Sequence, residues 1–322
     1  MKYRIPGLAA LVATTVILSA CSGAPVTDES EGPLELTAIN VSVSPSAATS
    51  VPMYLGVEKG FFQERGLDVT ISVLANGTVA IPQVVSGQNQ FSAASFAPVV
   101  EAVEQGLPIQ VVGAANIIPT DDDTEFQGII VRADFSGDDL SGASSIAAQS
   151  ALLDPVQADS VEHFGADYES LSIVQVPLPS IGDTVASGGA DFGVLNQPFL
   201  SMALANPDLK LLSYITPDES LPGTPGAVYI GQVAYMQANP EVTQAFMEAV
   251  VESYTYAQEN QQEAADFVPE TGLSDQVPPL VALGEYAAGG VSKEKFQELL
   301  DLFSEWGVNP GGITADDLLY QP

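Results

Sequence analysis

Apolar residues along the chain fall into short bursts of two different periods. Ile81, Val84 and Val85 have helical spacing and stop at Ser86-Gly87. A run of small residues follows, Phe91 to Ser95, and helical spacing then resumes in Phe96, Val99, Val100 and Val103. The series recurs at a constant offset of 101 residues: Ile181, Val185 and Ala186, then Ser187-Gly188, a run from Phe192 to Asn196, and Phe199, Leu200, Ala203 and Leu204. Segments 86–95 (SGQNQFSAAS) and 187–196 (SGGADFGVLN) therefore pair Ser86 with Ser187, Gly87 with Gly188, Phe91 with Phe192 and Ser95 with Asn196. A glycine just past a helix predicts a left-handed cap. A polar residue at a strand end predicts a side chain able to cap the next helix. A helix–strand–helix unit used twice predicts an α/β chain of two halves. Each half puts a polar strand end beside a helix N-terminus, where open α/β sheets bind ligands, and two such ends are expected to face one another across a cleft.

The remaining pattern fits that plan. Strands are expected at 34–43, 67–74, 109–114 (apolar enough for a buried parallel strand), 127–131, 145–148, 171–176, 190–195, 210–214 and 227–236. Ser50 is placed to cap a helix with Pro52 in its first turn, running to Gly60. Gln149-Ser150 lead a helix to His163, and from Pro240 onward the pattern is helical: 242–258, 261–267 and 293–306. The order implies two crossings between the halves, near 120–130 and 222–232, and two strands make a natural hinge. The expected fold is α/β and two-lobed with a cleft between the lobes, 34–122 plus 226–322 forming lobe 1 and 123–225 forming lobe 2.

Several segments carry a family resemblance. PMYLGVEKGFFQERGLDVTI at 52–71 resembles the opening helix and second strand of the extracytoplasmic solute-binding proteins of ABC importers. The subfamily is the one serving nitrate, sulfonates, taurine and thiamine-precursor pyrimidines. The likeness continues through Gly87 to Phe91, Gly106 to Val112, Gln127 to Val131, and Gly188 to Phe192 with Pro198, so it spans nearly all of the chain after its leader. One position departs: the acidic residue often found before that proline is Gln197 here. The resemblance implies a periplasmic-binding-protein-like (type II) fold, a small-molecule solute and partnership with an ABC permease and its ATPase.

Composition narrows the chemistry. The chain holds 8 Lys+Arg against 41 Asp+Glu, a formal net charge of −33. Such a surface repels nucleic acid and anionic lipid headgroups. Residues 1–20 read as a secretory leader, with Lys2 and Arg4 ahead of an apolar run from Leu8 to Leu18 that is short for a membrane span. Leu18-Ser19-Ala20-Cys21 resembles the bacterial lipobox, which makes Cys21 the expected lipidation site at the extracytoplasmic face of a cell membrane. Residues 21–33 read as a tether. Cys21 is the only cysteine, so disulfides and thiolate metal clusters are excluded, and no cofactor is expected. A monomer is expected.

Candidate ligand contacts follow from the strand ends. Ser44, Ser46, Thr49 and Ser50 lie between the first strand and its helix, either lining a cleft or acting as caps and turn residues. Gln149 and Ser150 hold the corresponding place in the second half. Ser95 and Asn196 are matched by the repeat, and Phe96 and Phe199 follow them, as core or as rings stacking on ligand. Asn76, Gly77 and Thr78 follow the second strand, while Asn116 and Gln232 fall near the crossings. Arg132 reads as a solvated ion-pair partner, His163 as a helix C-terminal residue, and Asp121, Asp122, Asp123 and Glu125 as a solvated loop without the EF-hand glycine. Trp306 is expected to pack the terminal helices.

Three functions fit this reading. The first is a membrane-anchored binding lipoprotein of an ABC importer that captures a small organic solute of the sulfonate, taurine or pyrimidine/heterocycle class by lobe closure. The others are an extracytoplasmic enzyme on the same fold and a ligand sensor for a separate membrane receptor. No acid–base constellation stands out, and capture needs none.

Overall fold

The computed structural model describes residues 36–44, 47–74, 79–118, 127–149, 155–197, 199–215, 221–267, 290–309 and 311–321. The leader, Cys21, the tether, Ser46, Asn76, Gly77, Thr78 and Ser150 lie outside them. The first stretch runs β1 (Thr37–Val43), α1 (Ala47–Lys59), β2 (Leu67–Val73), α2 (Ala80–Val85), β3 (Phe91–Ser95), α3 (Phe96–Glu104) and β4 (Ile109–Ile117). The second runs β5 (Gln127–Arg132), β6 (Ser145–Ala148), α4 (Pro155–His163), β7 (Ser172–Gln175), α5 (Ile181–Ala186), β8 (Phe192–Asn196), α6 (Phe199–Leu204) and β9 (Leu209–Tyr214). Then come β10 (Pro225–Gln232), α7 (Val233–Ala238), α8 (Pro240–Glu259), α9 (Gln261–Phe267), α10 (Lys293–Glu305) and α11 (Ala315–Leu318).

Among the described residues the strands form two five-stranded sheets, ordered β2-β1-β3-β10-β4 and β7-β6-β8-β5-β9. In the first, β1 is parallel to β2 and β3, and β10 runs antiparallel between β3 and β4. In the second, β6 is parallel to β7 and β8, and β5 runs antiparallel between β8 and β9. The two sheets share one topology, and the repeat places β3 and β8 at its centre. Phe91 lies opposite Val41 and Gly231; Phe192 lies opposite Ile146 and Val131. The antiparallel strand is the exception to local order, because in each sheet it is the strand that the chain forms first after crossing over from the other sheet.

Both faces of each sheet are covered, as an apolar strand series requires. On one face of the first sheet, Val41, Phe91 and Tyr229 pack with Phe246 and Tyr254 of α8, and Phe91 stacks on Phe246 at 4.0 Å. On the other, Val228 and Ile230 meet Phe96, Val99, Phe296 and Phe303. The second sheet repeats the layering: Ile129, Phe192 and Val194 with Ala158 and Val161 of α4, then Ile130 and Leu195 with Ile181, Val185 and Leu200. Trp306, expected among the terminal helices, reaches the second sheet's cluster and meets Tyr168 edge-on at 5.2 Å.

Three expectations are corrected. Helix α1 begins at Ala47, so Pro52 is inside it and Ser50 is no cap; the Ser44 and Thr49 hydroxyls hydrogen-bond and close the turn earlier. β4 is an outer strand with an antiparallel neighbour, and the C-terminal tail covers its free edge through a Tyr320 amide bond of 2.8 Å to the Val111 carbonyl. The run from Ala227 to Met236 is strand only to Gln232 and then turns helical in α7.

The repeat extends to turn chemistry. Gly87 and Gly188 take φ of 75° and 77°, and their amides bond to Val84 and Val185 carbonyls. One residue before each phenylalanine, a side-chain oxygen holds the neighbouring strand. Gln90 Oε1 accepts from the Asn40 amide, and Asp191 Oδ2 accepts from the amides and hydroxyls of Ser144 and Ser145.

Replacing Gly87 or Gly188 with Ala is expected to cost about 1 kcal/mol each in denaturant unfolding, the price of a side chain in the left-handed region. The Asp191 carboxyl is held below its usual range, first by the Ser144 amide. Its contribution is therefore present above the unfolded carboxylate's ordinary pKa and lost as pH falls through the lower folded value. Asp191→Asn should lower Tm at neutral pH and narrow its gap to wild type under acid, which melting curves across pH check.

Candidate functional site

Strand directions fix which residues share an edge. β1, β2, β3 and β4 end where β10 begins, so Ser44, Ser95, Asn116 and Ala227 lie along one edge of the first sheet. Likewise β6, β7, β8 and β9 end where β5 begins, which aligns Gln149, Gln175, Asn196, Gln127 and Tyr214. The chain passes from β4 to β5 and from β9 to β10 between these matching edges. The two passing segments touch: the Ile118 amide donates to the Thr224 carbonyl at 2.9 Å and the Gly223 amide to the Ile118 carbonyl at 2.9 Å. The Ile215 amide closes the second edge by donating to the Gln127 carbonyl at 3.0 Å. Leu221, at φ 54°, is the one non-glycine residue in the left-handed region among those described, and it sits where the second crossing approaches β10. Backbone strain of this kind collects at working parts of a fold.

On the first edge, Ser95 has an exposed side chain at the N-cap position of α3 and makes no capping bond. It stands opposite Ala227, which stands opposite Asn116. The Asn116 Oδ1 atom is buried and has no hydrogen-bond partner, and its amide group lies over Gly226, where an added Cβ would come within 3.2 Å of Oδ1. A buried acceptor without a donor costs free energy. Ser44 is half-buried against Thr49. Thr49 and Ser50 are 2% and 0% exposed, and the Thr49 carbonyl takes the hydroxyls of Tyr229 and Tyr254 at 3.2 and 2.9 Å.

On the second edge Asn196 Oδ1 accepts from Gln127 Nε2 at 2.7 Å, as their opposed register allows. Gln149 is exposed and its carbonyl accepts from Gln175 Nε2 at 3.3 Å. Gln197, the departure from the family pattern, accepts from the Ser201 amide and hydroxyl and so caps α6.

Three expected contacts do not join these edges. Phe96 is 1% exposed and packs against Phe296 and Phe303 at 6.0 and 5.4 Å, so it is core. Phe199 packs among the α5 and α6 side chains on the second sheet's other face. Gln232 lies at the far end of antiparallel β10 and donates to the Val85 carbonyl at 3.0 Å; a strand's direction was needed to see this. Sequence reasoning missed Gln127, Tyr229 and Tyr254. Nothing local marks them, because their partners are 69, 180 and 205 residues away.

Charge is distributed unevenly. The six Lys and Arg beyond the leader are committed elsewhere: Lys59 to Glu263, Arg65 to Glu248 and Glu252, Arg132 to Asp134, Lys293 to Asp316 and Lys295 to Glu298. Lys210 donates to the Phe135 carbonyl. Arg132 and Lys210 lie at the opposite ends of β5 and β9 from Gln127 and Tyr214. The described residues along the two joined edges are uncharged. A separate cavity of about 470 Å³ lies at the first sheet's other edge, lined by Gln110, Gln237, Asp316 and Tyr320 among others, away from the paired strand ends.

Removing Asn116 breaks no hydrogen bond in the unliganded protein, whereas removing Asn196 breaks one. Asn116→Ala should leave Tm at or above wild type, and Asn196→Ala should lose about 1 kcal/mol, measured side by side by denaturant unfolding.

Comparison with known proteins follows this geometry. A formylaminopyrimidine-binding protein of Halalkalibacterium halodurans is 26% identical over 322 residues, covering 97% of this chain and 94% of that one. The alkanesulfonate-binding protein SsuA of Xanthomonas axonopodis pv. citri, solved with MOPS bound, superposes with a TM-score of 0.67 at 14% identity, over 89% of this chain and 99% of that chain. The periplasmic nitrate-binding protein NrtA of Synechocystis PCC 6803 superposes at 0.66 and 16% identity, over 86% and 83%. The fold is thus that of the periplasmic binding proteins. The family model described as NMT1/THI5 like matches residues 47–264, more than half of the chain and both copies of the duplicated helix–strand–helix unit, and the chain belongs to that family.

Proposed function

We propose that this protein is the extracytoplasmic solute-binding component of an ABC importer, anchored through lipid on Cys21 and handing a small organic solute to a permease and its ATPase. In this reading residues 34–122 with 226–322 form one lobe and 123–225 the other. The site is the space between their joined edges. The observation that carries it is the pairing of two equivalent, uncharged polar strand-end rows by two crossings that run only between them. Closure brings the Ser95 and Asn116 row and the Gln127 and Asn196 row onto one solute, and contacts made only in the closed form shift the population towards it. Acyl chains at about 0.8 kcal/mol per buried CH₂ keep the molecule at the membrane face.

The chemistry along the edges favours a pyrimidine-class heterocycle over a sulfonate or nitrate. Each Lys and Arg beyond the leader has a partner away from the strand ends, so no side-chain cation is placed to neutralise an oxyanion in a molecule already carrying −33. Amide groups of Asn and Gln, with the N-terminal amides of α1 and α3, offer donors and acceptors in the mixture that an aminopyrimidine carries on its rim. Capture and release make and break no covalent bond, so the reading asks for no nucleophile and no acid–base pair.

Thermal unfolding with formylaminopyrimidine, alkanesulfonates, taurine and nitrate tests this. Formylaminopyrimidine at a hundredfold excess over Kd should add about 2.7 kcal/mol of stability. A shift from a sulfonate instead would change the solute and keep the function. No shift from any of them would sink the proposal, and conversion of the bound compound into product would replace it with the enzyme reading.

A further inference from the structure

Two buried hydroxyls stand behind the joined edge and have no part in the solute contacts proposed above. Tyr229 in β10 and Tyr254 in α8 are both 0% exposed, and their hydroxyl oxygens lie 3.0 Å from each other. They converge on one backbone atom, the Thr49 carbonyl oxygen, at 3.2 and 2.9 Å. That carbonyl belongs to the first turn of α1, which leaves β1 at the joined edge through Ser44. Three residues on, Pro52 interrupts the helix from inside. Proline has no amide hydrogen, so the Ala48 carbonyl loses its partner in the next turn, and the ring crowds that same carbonyl. The first turn is therefore attached to the rest of α1 by fewer backbone bonds than a continuous helix provides, next to the edge where position matters most.

From this geometry, and resting on the solute-binding reading, we infer that Tyr229 and Tyr254 are positioning residues: a buried clamp that replaces the backbone restraint lost at Pro52 and fixes the first turn of α1 against the first sheet's strand ends. Either hydroxyl reaches the carbonyl, so the two donors are redundant. Burial raises the Tyr229 phenol beyond its ordinary range, and it remains a donor through neutral and alkaline pH. The Thr49 hydroxyl, bonded to Ser44, ties the clamp to the end of β1. Ser44 and the turn's amides then meet solute as one rigid group together with Ser95 and Asn116. Pre-organised groups bind more tightly because less ordering is left to do on binding.

Redundancy gives the inference its own signature. In the full mature chain, Tyr229→Phe and Tyr254→Phe are each expected to change Kd for formylaminopyrimidine by about twofold or less. The double variant should lose about tenfold or more, well beyond the product of the singles. Hydrogen exchange on the unliganded protein should quicken in 47–55 of the double variant alone, with the sheet unaffected. Adding Pro52→Ala to the double variant returns an amide donor for Ala48 and should restore both slow exchange and affinity; this triple variant also serves if the double one does not fold. Tyr235→Phe, whose ring rests edge-on against Phe91, is the control and should leave both readouts unchanged. Unchanged exchange and affinity in the double variant, or a single variant as impaired as the double, overturns the clamp. A wild-type chain that binds no pyrimidine, sulfonate, taurine or nitrate overturns the solute reading and the positioning role with it, and the exchange arm then separates the two failures by reporting the clamp without solute.

Discussion

Each sheet is completed by the strand that the chain forms first on crossing over from the other sheet. β10 is the only partner of β4 within its sheet and joins it to β3, and β5 does the same for β9 and β8. Without the exchanged strand, β4 and β9 would have no ladder to join, and their backbone groups would need partners elsewhere. Two consequences follow from this one constraint. Both crossings must run between equivalent edges, because an antiparallel strand starts where its parallel neighbours end. And the two polar strand-end rows are tied together by the same backbone bonds that make the sheets whole.

The two ends of each sheet differ in how fully their polar groups are satisfied. At the ends away from the crossings, polar groups are satisfied: Asp191 takes up the Ser144 and Ser145 amides, Gln232 reaches the Val85 carbonyl, and Arg132 lies against Asp134. Along the joined edges the accounting is incomplete. Asn116 Oδ1 lacks a donor, Ser95 leaves its helix uncapped by its side chain, and Leu221 holds a costly backbone conformation. A fold tolerates such local deficits where a second molecule or a second conformation supplies what is missing. The sulfonate- and nitrate-binding proteins share this backbone frame at 14% and 16% identity, so what the frame holds is decided by side chains and not by the fold.

The C-terminal helices add a connection beyond the two crossing segments. α10 packs its Phe296, Leu299, Leu300 and Phe303 against the first sheet's layer, while Trp306 just beyond it meets Tyr168 in the second sheet's cluster. Val156 of α4 joins the first sheet's cluster in return. Relative motion of the two sheets would therefore have to slide or repack an apolar contact as well.

How much of this was legible beforehand follows from the range of the interactions. Local patterning determined the strands and helices within a few residues, the left-handed glycines at 87 and 188, and the duplication of a helix–strand–helix unit, because these depend on periodicity and on conformational cost within one turn. The repeat also matched Ser95 with Asn196, and the two residues do end equivalent central strands. Tertiary structure decided the rest. Strand direction is set by pairing with distant segments, and it moved Gln232 from a crossing to the far edge and brought Gln127 against Asn196. Which face of a helix is buried is set by the layer it packs on, and this turned Phe96 at the start of α3 into the core against Phe296 and Phe303, far along the chain. The tyrosine clamp on Thr49 and the orphaned oxygen of Asn116 depend on three-dimensional closure alone: hydrogen bonding is short-ranged, and no spacing along the chain encodes which distant donor will stand three ångströms away.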